Sequence, residues 1–203
     1  MSKRILNITT SLKGDASFSI QLSNAILKKL KAEHPDSQIK TSDLTKVPSP
    51  YLDGLNLGAF YTPAESHTAE QQAAVQYSNE AIRDLLEADI IVIGVPMYNF
   101  GIPAVLKGWV DQVARAGATF SYADGSPKGL VINKKVYLSI ASGAIFSDGP
   151  YKSYDFSEPY LRAVLGFLGM TDVTTFRVEG TAIPDFAEAA LPKALASVEE
   201  FAF

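Results

Sequence analysis

The stretch "IIVIGVPMYNFGIPAVLKGW", residues 90–109, contains the pattern that decides the fold. It opens with Ile90–Val95, the most apolar run of the chain, which is typical of a strand covered on both faces of a sheet. From Pro103 onward the apolar residues follow helical spacing, and a proline in the first helical turn costs no backbone hydrogen bond. The stretch therefore predicts a buried strand followed by a helix.

The same alternation of strand and helix continues on both sides of this stretch. We predict strands at Arg4–Thr10, Gln38–Asp43, Ile90–Val95, Lys135–Ala141 and Asp172–Glu179. We predict helices at Ser19–His34, Thr68–Ala88, Pro103–Ala116, Ser157–Leu168 and Phe186–Phe203. The segment Thr45–His67 shows no clear periodicity and is predicted to be a long loop. The alternation indicates a single domain over residues 1–203, an α/β three-layer sandwich whose five-stranded parallel sheet has the flavodoxin-like order 2-1-3-4-5.

Composition excludes several classes of function. The net charge of −4 argues against a general nucleic-acid binder, because neutralising phosphates requires clustered Lys and Arg. The chain has no cysteine, so it cannot form disulfides, thiolate nucleophiles or zinc–thiolate sites. Its two histidines, His34 and His67, stand in unrelated contexts, and we expect no metal site. There is neither a leader-like N-terminus nor an apolar run of about 20 residues, so we expect a soluble, cytoplasmic protein without membrane association.

Open parallel sheets bind ligands beyond the carboxyl ends of their strands, near the point where the strand order reverses. The first corner to consider is "TTSLKGDASFS", residues 9–19, where five hydroxyl side chains precede a helix. Hydroxyls and free N–H groups at a helix start suit a phosphate. The alternative is that Ser17 or Ser19 is only a helix N-cap, which would explain one of the hydroxyls. Neither GxxxxGK[ST] nor GxGxxG is present, which disfavours P-loop and dinucleotide sites.

The second corner, Pro96–Phe100, contains large side chains, whereas an ordinary turn between a strand and a helix would contain small polar residues. Tyr98 and Phe100 can pack against a flat ring, Met97 is a polarizable neighbour, and Asn99 offers donors and an acceptor. The alternative is that these are core residues covering the end of the sheet. A phosphate site beside an aromatic corner favours flavin mononucleotide as the ligand.

Longer segments carry a resemblance to a known family. "VPMYNFGIPAVLKGWVDQVARAGATF", residues 95–120, closely resembles the FMN-dependent NADH-azoreductases, which are flavodoxin-fold oxidoreductases of the quinone reductase type. The similarity extends along nearly the whole chain and includes "SLKGDASFS", "LDGLNLGAF", "ASGAIFSDGP" and "LGFLGMTDV". The MYNF tetrapeptide with its following helix is specific, whereas the serine-rich loop alone is weak evidence.

The resemblance implies one non-covalently bound FMN per subunit. The residues expected to hold it are Ser11, Ser17, Phe18, Ser19, Pro96, Met97, Tyr98, Asn99, Phe100, Ser142 and Gly143. After the fourth predicted strand the family usually has Ser-Arg-Gly-Gly, whereas this chain has Ala141-Ser142-Gly143-Ala144. The difference removes a positive charge near the ring, and we expect FMN binding to persist through backbone N–H groups around Gly143.

The resemblance also implies an activity. A hydride would pass from NADH, or NADPH, to flavin N5 and then to quinones or aromatic azo compounds, in ping-pong order and without a catalytic side chain. Phe60, Tyr61 and Phe120 are candidate walls of the acceptor pocket, although ordinary packing would explain them equally well. A homodimer is implied, with Thr45–His67 reaching the partner. Two alternatives stay open: a flavodoxin-like electron carrier without a substrate pocket, and a flavin-free binding module of the same fold.

Overall fold

The computed structural model describes residues 2–122 and 125–203. Its strands are β1 (Arg4–Thr9), β2 (Gln38–Asp43), β3 (Ile90–Pro96), β4 (Phe120–Ser121), β5 (Lys128–Gly129), β6 (Lys135–Ala141) and β7 (Asp172–Val178). Its α-helices are α1 (Phe18–Glu33), α2 (Gly54–Tyr61), α3 (Ala69–Glu87), α4 (Ala104–Val113), α5 (Glu158–Leu168) and α6 (Pro184–Glu200). The five predicted strands agree with β1, β2, β3, β6 and β7 to within a residue at each end.

One parallel sheet contains these five long strands, in the order β2-β1-β3-β6-β7. Numbered along the chain without the two short strands, this order is 2-1-3-4-5, which confirms the predicted flavodoxin-like topology. β4 and β5 form a small antiparallel pair outside the sheet. This pair was not predicted, because strands of two residues carry no periodic pattern.

The central strand β3 is buried along its whole length and divides the core into two layers. Ile90 and Val92 pack in a cluster that includes apolar residues of α1 and α6. Ile91 and Ile93 point to the opposite face, where they pack with residues of α3, α4 and α5. Helices therefore cover both faces, as expected for a strand without polar alternation. Within the described ranges, no helix is both long enough and apolar enough to cross a bilayer.

The prediction of a long loop over Thr45–His67 is wrong, because this segment contains α2 and a short 3₁₀ turn at Ala64–Ser66. The Asp53 carboxylate caps α2 by accepting the Asn56 N–H at 2.8 Å. The buried Asn56 amide in turn donates to the Ala74 carbonyl at 2.8 Å and attaches α2 to α3. Two glycines and two exposed leucines concealed the helix, since its apolar residues do not form one inward face.

The last helix begins earlier and ends earlier than predicted, at Pro184 and Glu200 instead of Phe186 and Phe203. The final residues leave the helix because their rings pack back on the sheet. Phe201 makes an edge contact with Phe176 at 5.4 Å between ring centroids, and Phe203 lies 4.9 Å from Tyr137. Burial in this aromatic group raises the pKa of Tyr137 to about 12.

Candidate functional site

The sheet topology brings the ends of β1, β3 and β6 to one edge of the molecule. The Thr10 hydroxyl, just after β1, donates to the Gly94 carbonyl in β3 at 2.7 Å. The Met97 N–H, just after β3, donates to the Ala141 carbonyl of β6 at 2.8 Å. The three corners that sequence analysis singled out are therefore neighbours, as expected for parallel strands flanking the reversal of strand order.

The first of these corners, residues 9–19, is here called the serine corner. Ser11, Ser17 and Ser19 are all buried in it, and Phe18 is half-buried. Ser17 stands immediately before α1, yet its side chain makes no capping hydrogen bond. Its Oγ lies instead 3.0 Å from the Ser19 Oγ. The position of Ser17 matches the N-cap alternative, but its hydroxyl is not used as a cap.

A second layer of hydroxyls fixes the serine corner to the sheet. The Ser139 hydroxyl of β6 donates to the Ser19 carbonyl at 2.9 Å and lies 2.5 Å from the Ser23 Oγ. Gly94 makes room for this contact, because a Cβ there would stand 3.1 Å from the Ser23 Oγ. The start of α1 is thus attached to β6 by neutral hydrogen bonds and packs closely against β3 at Gly94.

The second corner, Pro96–Phe100 with its turn, is here called the aromatic corner. Pro96 is buried, Met97 and Tyr98 are half-buried, and Phe100 is 49% exposed. Tyr98 and Gly101 exchange two backbone hydrogen bonds of 3.1 Å each, which closes a tight turn. Within it Asn99 and Phe100 adopt φ values of 50° and 70°. Such φ values are unfavourable for a bulky side chain such as that of Phe100, and strain of this kind is concentrated at functional sites.

The third corner contains Ser142 and Gly143. Ser142 is buried and its hydroxyl donates to the Ala144 carbonyl at 2.8 Å, whereas Gly143 is exposed. A Cβ at Gly143 would stand 3.3 Å from the Ala182 side chain, so the glycine also permits close packing at this edge.

Residues 144–156, which follow the third corner, are here called the aromatic segment. Its Phe146 and Tyr154 rings lie 6.1 Å and 5.6 Å from the Phe100 ring, and the Phe156 N–H donates to the Phe100 carbonyl at 3.1 Å. These residues therefore support the strained turn. Their role was not predicted, although the density of aromatic residues in "FSDGPYKSYDF" was an available signal.

Arg177 of β7 is the centre of an ion cluster that holds the aromatic segment. Its guanidinium contacts the Asp155 carboxylate at 2.5 Å, the Glu179 carboxylate at 3.1 Å, and also Glu158. Glu179 accepts the N–H groups of Phe146 and Ser147 at 2.8 and 2.9 Å. One end of the segment is therefore attached through Glu179, just after the edge strand, and the other end through Arg177 in that strand.

The electrostatics of the cluster favour its charged form. Burial by itself would raise the pKa of the Glu158 carboxyl, but hydrogen bonds from Thr175, Arg177 and Arg162 outweigh that effect and lower it. Burial also opposes the charge of Arg177, and its hydrogen bonds to Glu158 and Asp155 overcome this effect and raise its pKa. The buried charges are thus compensated by one another.

A cavity of about 710 Å³ joins the serine and aromatic corners. Thr10 and Leu12 line it from one side, and Tyr98, Asn99 and Phe156 from others. Its volume lies within the range of small-molecule sites. Of the predicted cofactor-binding residues, Tyr98 and Asn99 line this cavity, whereas the predicted phosphate contacts and the third corner with Ser142 and Gly143 are outside its lining.

The predicted acceptor residues Phe60, Tyr61 and Phe120 lie together in a different place. They line a separate cavity of about 80 Å³ with Arg115 and residues of α2 and α4. This cavity shares no lining residue with the larger one. These three residues therefore lie together, but within a single chain they do not line the cavity at the predicted flavin corners.

Comparison with known proteins identifies the family. The family described as the flavodoxin-like fold matches residues 3–202, and this chain belongs to it. An FMN-dependent NADH:quinone oxidoreductase of Herminiimonas arsenicoxydans is 48% identical over 180 residues, which cover 89% of this chain and 88% of the relative. An azoreductase from Bacillus anthracis str. Sterne has a TM-score of 0.88 at 31% identity and covers 99% of this chain and 100% of its own.

A second solved structure is an FMN-dependent NADH-azoreductase from Bacillus anthracis str. Ames Ancestor in complex with FMN. It has a TM-score of 0.87 at 29% identity, and the match covers 97% of this chain and 96% of that one. The predicted membership of the azoreductase and quinone reductase family is therefore confirmed.

Proposed function

We propose that this protein is an FMN-dependent oxidoreductase that passes a hydride from NADH to quinones and aromatic azo compounds. One observation carries the proposal: a helix start with buried serine hydroxyls stands beside a strained aromatic corner, in a chain whose relatives are FMN-dependent oxidoreductases. The Ser17 hydroxyl, which does not cap its own helix, is available to a phosphate.

The residues fit the two ends of FMN. The phosphate would be held by Ser11 and by Ser17–Ser19, with the dipole of α1 supplying positive potential. The ring would rest on Met97–Phe100 and on the backbone at Ser142 and Gly143. When bound, the flavin supplies the hydride chemistry. The chain's own task is to orient the ring and to leave one face open, so we assign no catalytic side chain.

We infer that donor and acceptor use this open face in turn, which gives ping-pong kinetics. NADH is the proposed donor, since the names of the relatives specify it, and NADPH is proposed as a second donor. Double-reciprocal plots of the initial rate against NADH concentration, at several fixed quinone concentrations, would give parallel lines if donor and acceptor bind in turn. The cavity beside the aromatic corner favours an enzyme over a simple electron carrier, because it offers room for an acceptor.

We further propose a homodimer. Exposed apolar side chains, among them Tyr51, Leu57 and Tyr61, lie on and before α2, and Leu12 at the mouth of the large cavity is 77% exposed. Monomers rarely expose a large contiguous patch of apolar side chains, and the patch on and before α2 is the proposed contact with the partner. In such a dimer the Phe60–Phe120 cavity of one protomer would complete the acceptor site of its partner. Sedimentation velocity would show a single species of twice the chain mass.

Anaerobic titration of the FMN-loaded protein with NADH tests the proposed function. We expect the flavin absorbance to bleach with one equivalent of NADH and to return when a quinone is added. The matched measurement with NADPH compares the two donors. A protein that binds no FMN, or whose bound FMN is not bleached by either donor, would contradict the proposal.

A further inference from the structure

Arg115 lies two residues beyond the end of α4 and is half-buried. Its guanidinium carbon stands 5.4 Å from the centroid of the Phe60 ring. One guanidinium nitrogen donates to the Ser78 hydroxyl at 3.1 Å. These are neutral partners, and a guanidinium has five N–H donors.

The charge of Arg115 has no acidic partner within salt-bridge distance in residues 2–122 and 125–203. Asp111 lines the same cavity, but its two carboxylate oxygens accept from Lys107 at 2.6 and 2.8 Å. Burial lowers the pKa of Arg115, although a guanidinium stays protonated at neutral pH. A partly desolvated cation without a counterion attracts an anion strongly. Arg177 shows the contrast, since three carboxylates surround it.

The cavity beside Arg115 is large enough for one small substituent of an aromatic molecule. Its volume of about 80 Å³ suits a group of a few atoms and is too small for an aromatic ring system. The rings of Phe60, Tyr61 and Phe120 line it, and Tyr61 is 78% exposed at its border. A flat molecule could therefore lie against these aromatic side chains while its charged substituent enters the cavity.

We propose that Arg115 is a specificity-determining residue that binds the sulfonate or carboxylate group of anionic aromatic acceptors. This inference rests on the proposed function and on the dimer that would bring the cavity to a partner's flavin. It extends that function by naming a substrate class, acceptors that carry a negative charge. Neutral acceptors would use the aromatic walls alone.

Steady-state kinetics test the proposal with two acceptors, 1,4-naphthoquinone-2-sulfonate and 2-methyl-1,4-naphthoquinone. In Arg115→Gln we expect the ratio of kcat/KM for the sulfonate to kcat/KM for the neutral quinone to fall about tenfold, the effect of one charge-assisted hydrogen bond. Arg115→Lys should retain most of the ratio. Arg83→Gln, which removes the same charge from an exposed position of α3, should leave it unchanged. An equal loss with both acceptors, or the same change in Arg83→Gln, would overturn the proposal.

A binding measurement separates this proposal from the proposed function. Calorimetry compares naphthalene-2-sulfonate with the uncharged naphthalene-2-sulfonamide, and neither compound requires electron transfer. We expect the wild-type protein to prefer the sulfonate and Arg115→Gln to lose the preference. Equal affinities of the wild-type protein for the sulfonate and the sulfonamide would overturn the proposed anion site. A preserved preference in a protein that reduces neither quinone would instead refute the proposed function alone.

Discussion

The serine corner and the aromatic corner lie side by side but are held in different ways. In the serine corner the links are neutral: hydroxyls of Ser17 and Ser19 face each other, and Ser139 ties the start of α1 to the sheet. The aromatic corner depends on charges, because Arg177 and Glu179 hold the segment that supports Phe100. The difference follows from what each corner must do.

A phosphate needs nearby donors, and any fixed carboxylate there would repel it. A neutral hydroxyl network therefore suits the serine corner. The aromatic segment instead has no regular structure beyond one 3₁₀ turn at Lys152–Tyr154, so its backbone N–H groups need other acceptors. The carboxylate of Glu179, just after the edge strand β7, accepts the N–H groups of Phe146 and Ser147, and Arg177 compensates its charge. The comparison predicts that the two corners respond differently to substitution, to added charge and to pH.

The largest effect is expected for Arg177→Met. Removing the arginine takes away the cation that Asp155, Glu158 and Glu179 share and leaves Arg162 to pair with Glu158 alone, which should cost about 3–5 kcal/mol of unfolding free energy. Arg162→Met is the matched control, because Arg162 also pairs with Glu158 but its side chain is 44% exposed, against 14% for Arg177. It should cost about 1 kcal/mol or less. Urea denaturation measures both, and similar losses in the two variants would show that the cluster does not depend on Arg177.

The next effect concerns the serine corner. Ser17→Asp places a carboxylate against the proposed phosphate and should weaken FMN affinity about 100-fold, or about 2.7 kcal/mol. The fold should survive, since Asp is a good N-cap residue. Ala16→Asp adds the same charge at the neighbouring exposed position and should have a much smaller effect. Fluorescence titration of FMN gives both affinities, and unchanged binding in Ser17→Asp would place the phosphate elsewhere.

A smaller effect is expected from the buried hydroxyl pair. Ser139→Ala leaves the Ser23 hydroxyl and the Ser19 carbonyl without this partner and should cost about 1–3 kcal/mol of stability. Ser23→Ala should cost less, because the Ser139 bond to Ser19 is kept. In the double variant the two losses should be less than additive. Full additivity in denaturation experiments would show that the two hydroxyls act independently.

The smallest effect is a pH dependence of stability, which we expect for the ion cluster beside the aromatic corner and not for the serine corner. The folded-state pKa of Glu158 is lowered, so its contribution to stability is complete above its ordinary pKa of about 4.3 and is lost as pH falls through the lower folded value. Thermal unfolding between pH 7 and pH 3 should show this loss, and Glu158→Gln should flatten it. An identical acid profile in wild type and variant would mean that Glu158 carries no such linkage.

Much of the fold could be predicted because its signals are local. β3 is apolar throughout since both faces are covered, and α1 repeats its buried residues at helical spacing. The missed helix α2 depends on a cap at Asp53 and on Asn56 bonding to α3, which no apolar pattern reveals. The predicted end of α6 was wrong for a similar reason. Contacts of the last residues with Tyr137 and Phe176 decide where the chain leaves the helix.

The candidate site divides in the same way. The hydroxyls of residues 9–19 and the bulky Pro96–Phe100 are readable as motifs. The Arg177 cluster joins Asp155, Glu158 and Glu179 through tertiary contacts and could not be inferred from spacing. The absence of a carboxylate partner for Arg115 within residues 2–122 and 125–203 is likewise a property of the folded chain. Partners that are distant in sequence therefore account for most of what was missed.

The central claim is that the serine and aromatic corners together hold one FMN, and a crystal structure of the protein with FMN tests it most directly. We expect the phosphate to lie within hydrogen-bond distance of the Ser17 and Ser19 hydroxyls, and the ring to lie against Met97–Phe100 and Gly143. A phosphate bound away from the start of α1, or a ring away from the Pro96–Phe100 turn, would contradict it.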